Sequence, residues 1–156
     1  MPSATRATVR DELFMWFRRD LRLADNPALC AAADAGNVVP LFVLDPQLLA
    51  SSGRRGGRLL ASLAALQADI CTPLVIRSGN PVDVIPALVA EVGAHQVHVS
   101  AESTPYGRER DRRVAAQTEQ SGAQVVATGS PYAVTPGRVV KSSGDPYRVF
   151  TPFRKA

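Results

Sequence analysis

Short, wholly apolar runs alternate along this chain with longer stretches of helical spacing. LFMWF at residues 13–17 is apolar at every position, the pattern of a strand covered on both faces rather than one. Asn26 and Pro27 supply an N-cap and a first-turn proline for a helix running to about residue 35, closed by Gly36. Residues 38–44 predict a second strand. From 56 to 70, Leu59, Leu60, Leu63, Leu66 and Ile70 recur at helical intervals and mark one apolar stripe. Leu74, Val75 and Ile76 predict a third, short strand. Asn80-Pro81 repeats the cap-and-proline signal, and Val82, Ile85, Leu88, Val89 and Val92 continue with helical spacing to Gly93. A fourth strand at 97–99 precedes a charged helix over about 106–121 that Gly122 stops, and residues 125–127 predict a fifth strand.

Five strands separated by four helices imply right-handed crossovers and a mostly parallel sheet covered on both faces. The expectation is therefore an α/β, Rossmann-like three-layer domain whose five-stranded parallel sheet has the order 3-2-1-4-5. After Thr128 the pattern gives way to turn chemistry around Pro131, Pro136-Gly137 and Gly144-Asp145-Pro146. Residues 1–11 are read as a disordered or extended N-terminus, 12–128 as the domain core and 129–156 as an irregular arm. There are no internal repeats.

With 46% hydrophobic and 21% charged residues in 156, the composition is that of an ordinary globular domain, ample for a buried core. No run approaches the roughly 18–20 apolar residues of a membrane span, and residues 1–12 lack the apolar stretch of a secretory signal. Cytoplasm is the expected location. Cys30 and Cys71 are far apart without metal-ligand spacing and are read as free, buried thiols. The net charge of +4 mixes 18 basic with 14 acidic residues, so it does not by itself single out a polyanionic partner.

In an open parallel sheet, ligands bind beyond the carboxyl ends of the strands, where the strand order reverses. Here that point falls between the Arg18-Arg19-Asp20 turn and the Ser100-Ala101-Glu102 turn, with Leu44 and Asp45 ending the second strand. The arginines after the first strand suit either of two roles: bracing the crevice wall through carboxylates such as Asp111, or touching a ligand directly. Arg54 and Arg58 lie in a glycine- and arginine-rich segment ahead of a helix, which suits either an anion site or a plain exposed loop. His95 and His98 differ by an odd number of positions about a strand, cannot easily share a metal and are read as surface or strand-flanking residues. No GxSxG elbow and no Ser-His-Asp set occurs.

WFRRDLRLADNPAL at 16–29 resembles the N-terminal signature of the photolyase/cryptochrome family. The resemblance continues in register through VLDP at 43–46, PYGRERD at 105–111 and GDPYRVFTPF at 144–153. It implies the N-terminal α/β domain of a two-part flavoprotein, closest in pattern to cyclobutane pyrimidine dimer photolyases. In such proteins this domain often holds an antenna chromophore, while a larger helical domain holds FAD and the DNA lesion. The resemblance implies that the FAD-binding helical domain lies beyond Ala156, that DNA is met only through the complete enzyme, and that this chain has no repair activity alone.

The PYGR segment looks like the deazaflavin-binding class, with FMN fitting the same shape and methenyltetrahydrofolate as a further candidate. The class carries over an acidic chromophore contact to Glu102, with Arg54 at the pocket rim and Leu44 and Asp45 beside it. Trp16 is read as core. Two other functions share parts of the pattern: a cryptochrome-type blue-light photoreceptor, and a free-standing Rossmann-like nucleotide-binding module. A direct DNA-binding module is disfavoured by the mixed charge. The aromatic segment 147–153 is the expected surface for self-association.

Overall fold

The computed structural model describes residues 12–49 and 53–155, the latter without the side chains of 53–55. In chain order the elements are β1 (Glu12–Phe17), α1 (Pro27–Ala35), β2 (Asn37–Leu44), α2 (Pro46–Leu49), α3 (Gly53–Asp69), β3 (Val75–Ser78), α4 (Pro81–Val92), β4 (Gln96–Val99), α5 (Pro105–Gln120), β5 (Gln124–Ala127) and α6 (Phe150–Arg154). The five strands form one sheet in the order β3-β2-β1-β4-β5, and every adjacent pair is parallel. The expectation of a three-layer Rossmann-like α/β domain holds.

The sheet divides the core by the two-residue period of a strand. In β1, Phe14 and Trp16 join one apolar cluster, with Ile85, Leu88 and Val89 of α4 and Val114 of α5. Leu13, Met15 and Phe17 join the other, with Ala28 and Ala32 of α1 and Leu63 and Leu66 of α3. That double coverage is why residues 13–17 carry no polar position at all. Pro40 is tolerated within β2 because β3 begins to pair only at Leu41, one residue later.

Both asparagine caps form: the Asn26 side chain accepts from Leu29 N, and that of Asn80 from Val82 N. Gly93 takes the left-handed conformation (φ 73°) that ends α4. Four details depart from expectation. Helix α3 begins at Gly53, so the Gly/Arg-rich segment forms its first turns rather than a loop ahead of it. The one-turn α2 arises because Asp45 caps it, its Oδ1 accepting from Gln47 N at 2.9 Å. Strand β3 is shifted towards Arg77 and Ser78, which pair with Val43 and Leu44 although their side chains carry no strand-like apolar signal. Cys30 and Cys71 are free but exposed, each lying outside the apolar stripe of its segment.

No helix among the described residues is long and apolar enough to cross a membrane. Beyond β5, residues 128–149 add no strand to the sheet; an isolated bridge joins Val140 to Pro146 before α6. Val149 and Phe150 are exposed there. Residues 1–11, read from sequence as disordered or extended, lie outside the described residues.

His98 is also a departure, being buried in β4 rather than at the surface. Its Nε2 pairs with Gln96 Oε1 at 3.0 Å, while Nδ1 has no partner among the described residues. Burial, and secondarily the neighbouring His95, push its pKa below the usual 6.5. The unfolded chain therefore takes up the proton first as pH falls. Stability is expected to be level above pH 6.5 and to decline below it, at no more than about 1.4 kcal/mol per pH unit for one proton. Urea unfolding of the wild type and His98→Gln between pH 7.5 and 5.5 would test this. An equal acid loss in both proteins would exclude His98 as the source.

Candidate functional site

A cleft of ≈ 360 Å³ opens at the carboxyl ends of β1 and β2, facing the start of α5. Its apolar wall is made by Trp16, Phe42, Val43, Leu48 and Pro81. Arg18, Arg19, Asp45, Glu102, Tyr106 and Arg110 supply the polar groups. Volume and lining suit a small planar ligand fixed by a few polar contacts.

The walls are locked by charge. Arg18 follows Trp16 by two positions and leaves β1 on the same face. Its Nη1 donates to both oxygens of Asp111 at 2.5 and 2.6 Å, and its Nη2 donates to the Ser100 carbonyl. Arg110 donates to Asp111 Oδ1 through Nε (3.0 Å) and Nη2 (2.8 Å). The two guanidinium carbons lie 4.8 Å and 5.0 Å from the centroid of the Trp16 ring. Cation–π attraction and the shared carboxylate thus fix the indole that forms part of the wall. Asp20 ties the turn after β1 to the turn after β4, accepting from Arg18 N at 3.1 Å and from Ser100 Oγ at 2.5 Å. These contacts bridge β1 and β4, where the strand order reverses.

Two further carboxylates face the cleft in different states of engagement. Asp45 is buried, and its Oδ2 accepts from the Tyr106 hydroxyl at 2.5 Å. Burial, that hydrogen bond and the Asp45 charge push the Tyr106 pKa up to about 12, so the phenol remains a donor. The Glu102 side chain is only 6% exposed. Its Oε1 accepts from Ser103 N (2.9 Å) and Thr104 N (3.1 Å) and lies 3.5 Å from Arg19 Nη1. Burial alone would raise its pKa, but those two amides and the Arg19 and Arg18 charges outweigh it and hold the carboxyl below the usual 4.5. No hydrogen bond to Oε2 is found among the described residues, and Glu102 lines the cleft.

Of the residues singled out from sequence, Arg18, Asp45 and Glu102 meet in this cleft. The pairing of Arg18 with Asp111 is present, and Arg18 also lines the cleft, so bracing and access to a ligand coexist. Leu44 does not line it. Leu44 packs instead against the α1/α3 cluster, and Phe42 and Val43 of the same strand line the cleft. Arg58 is exposed on α3, away from the cleft lining. Arg54 falls in the first turn of α3, and its side chain lies outside the described residues.

Sequence reasoning missed the wall role of Trp16, the Tyr106–Asp45 hydrogen bond and the part played by Arg110. The four-residue spacing of Tyr106 and Arg110 on one helix was the available signal. No cluster of three metal-ligating side chains occurs among the described residues. To a ligand the described residues of the cleft offer apolar packing surface and the Glu102 carboxylate.

The sequence profile of the DNA photolyase family matches residues 13–156. A deoxyribodipyrimidine photo-lyase of Synechococcus is 35% identical over 150 residues, which cover 92% of this chain and 31% of that protein. The crystal structure of a bacterial class III photolyase from Agrobacterium tumefaciens superposes with a TM-score of 0.81 at 31% identity, covering 97% of this chain and 32% of that one. An archaeal photolyase from Sulfolobus tokodaii, solved with two FAD molecules and discussed for a novel light-harvesting cofactor, gives 0.78 at 26% identity over 92% of this chain and 34% of that one. The chain thus spans about a third of the length of these relatives. Sheet order, the cleft at the strand ends and these matches agree: the chain belongs to the DNA photolyase family and forms its N-terminal α/β domain.

Proposed function

We propose that this domain binds a planar light-harvesting chromophore in the cleft beside Trp16, as the antenna part of a deoxyribodipyrimidine photolyase. The family binds chromophores, FAD together with an antenna. The observation that carries the reading for this chain is the Glu102 carboxylate. It is held ionised in a largely apolar cleft, with Oε2 left to accept from a ligand. A ring system with an N–H edge fits that acceptor, with Trp16, Val43 and Pro81 against its faces or edges and the Tyr106–Asp45 pair at one side. A deazaflavin is the favoured occupant; FMN presents the same outline, and methenyltetrahydrofolate is the third candidate. The two FAD molecules of the Sulfolobus tokodaii structure, discussed for a novel light-harvesting cofactor, support a flavin-shaped occupant.

Held beside Trp16, Val43, Pro81 and Glu102, such a chromophore would supply light absorption for a reduced flavin. Arg18, Arg110 and Asp111 keep the wall rigid, which fixes orientation, the quantity on which energy transfer depends. Repair of pyrimidine dimers, and contact with DNA, belong in this reading to an enzyme that also contains the FAD-binding helical domain. The exposed Val149 and Phe150 suit either docking against that domain or self-association.

Trp16 is the only tryptophan and lines the cleft, so its emission reports occupancy directly. Titration with a deazaflavin, FMN and methenyltetrahydrofolate is expected to give saturable quenching, tightest with the deazaflavin. Tightest binding of the folate would overturn the deazaflavin preference. No saturable quenching by any of the three would overturn the antenna reading.

A further inference from the structure

Glu102 leaves β4 only three residues before α5 begins, and its side chain folds back over the first turn of that helix. Thr104 caps the same turn, its Oγ1 accepting from Gly107 N at 3.2 Å. Gly107 is buried, is the third residue of α5, and does not have a left-handed backbone. Alanine is ordinarily the better helix former at such a position. The reason for glycine is therefore spatial. A methyl group there would lie 1.9 Å from Glu102 Cγ, 2.7 Å from Glu102 Cδ and 2.8 Å from Thr104 Oγ1. The hydroxyl can rotate away by a few tenths of an ångström. The Glu102 stem cannot, because 1.9 Å lies far inside the roughly 3.5–4.0 Å of a carbon–carbon contact.

We infer that Gly107 is a positioning residue for Glu102: the side chain missing at 107 is the space that the Glu102 carboxylate arm occupies. Any larger residue at 107 drives Glu102 out of its seat on Ser103 N and Thr104 N and removes the anionic acceptor from the cleft. Positions 102 and 107 therefore act as one unit that decides which class of ligand edge the cleft accepts. The consequence for ligand choice rests on the chromophore reading above; the steric coupling does not.

The test is a double-mutant cycle in the full chain, with Gly107→Ala, Glu102→Ala and the double variant, read first without ligand. Gly107→Ala alone is expected to lower Tm by on the order of 3–9 °C, as overpacking does, and to cost almost nothing in the Glu102→Ala background. By carbon-13 NMR the Glu102 carboxyl of Gly107→Ala should titrate closer to 4.5 than it does in the wild type, having lost its two amides. If Gly107→Ala alone does not fold, folding of the double variant is the supporting result. An equal Tm loss in both backgrounds, an unchanged Glu102 titration, or failure of the double variant to fold overturns the inference.

With a deazaflavin present, Gly107→Ala should weaken binding as much as Glu102→Ala does, and combining them should add nothing. Additive losses overturn the link to ligand choice. A wild type that binds no chromophore refutes the antenna reading, while the two ligand-free measurements still decide the role of Gly107.

Discussion

Replacing Asp111 by alanine is expected to remove about 3–5 kcal/mol of unfolding free energy, the cost of breaking a buried ion pair from one side. The magnitude follows from what is stranded. The Arg18 and Arg110 side chains are 8% and 7% exposed, and both lean on this one carboxylate, which is itself 19% exposed. Arg18 would keep the Ser100 carbonyl and the face of Trp16, and Arg110 would keep aromatic neighbours, but neither would keep a hydrogen-bonded carboxylate. Against a typical total stability of about 5–15 kcal/mol, that loss leaves a marginal domain.

Urea unfolding monitored at Trp16 measures it, with an unchanged m-value showing that the denatured state is unaffected. A loss under about 1 kcal/mol would mean that solvent screens the cluster and that it braces nothing. Arg18→Met combined with Asp111→Leu should recover the share of the loss due to Arg18, since an apolar pair of similar volume leaves only Arg110 stranded. Recovery would show that the penalty came from unpaired charge rather than from lost packing.

The architecture was legible because its signals are local and repeat. An all-apolar run at 13–17 means cover on both sheet faces, and the split of those five residues between two core clusters is the physical content of that pattern. Asn26-Pro27 and Asn80-Pro81 announce helix starts, and both asparagines cap. The Arg18–Asp111 pairing spans 93 residues, yet it was foreseeable: an arginine cluster leaving a buried strand needs carboxylates, and α5 offers them.

What stayed hidden depends on which atoms share a volume, and spacing does not record that. Leu44 and Val43 are interchangeable in composition, yet Val43 meets the cleft and Leu44 packs against the α1/α3 cluster. Trp16 reads as core and is core, but it lies one residue before the end of β1 and also lines the cleft. His98 sits at a strand position open to either reading and proves buried. Gly107 looks like an ordinary blemish in a polar helix until the Glu102 arm is found where its Cβ would be.

Glu102→Ala is expected to weaken deazaflavin binding about 10- to 100-fold at neutral pH, the worth of one hydrogen bond to a charged group. The substitution frees the amides of Ser103 and Thr104 but leaves the Asp111 cluster and both apolar clusters intact, so the folded cleft remains for comparison. Glu102→Gln keeps an oxygen acceptor without its charge and should fall between the two.

The pH dependence separates charge from shape. The acceptor must be ionised, and its pKa lies below the usual 4.5, so wild-type affinity should be level from pH 7 down past 4.5 and weaken only below it. Glu102→Gln should show no such step over the range in which the protein stays folded. A Glu102→Ala affinity within twofold of wild type would place the ligand elsewhere in the cleft. Equal acid weakening in wild type and Glu102→Gln would assign that titration to another group. The strongest outcome for the antenna reading is thus a loss confined to the charged acceptor, with Trp16 quenching preserved at saturation, because a ring held by that carboxylate within energy-transfer reach of the indole satisfies both.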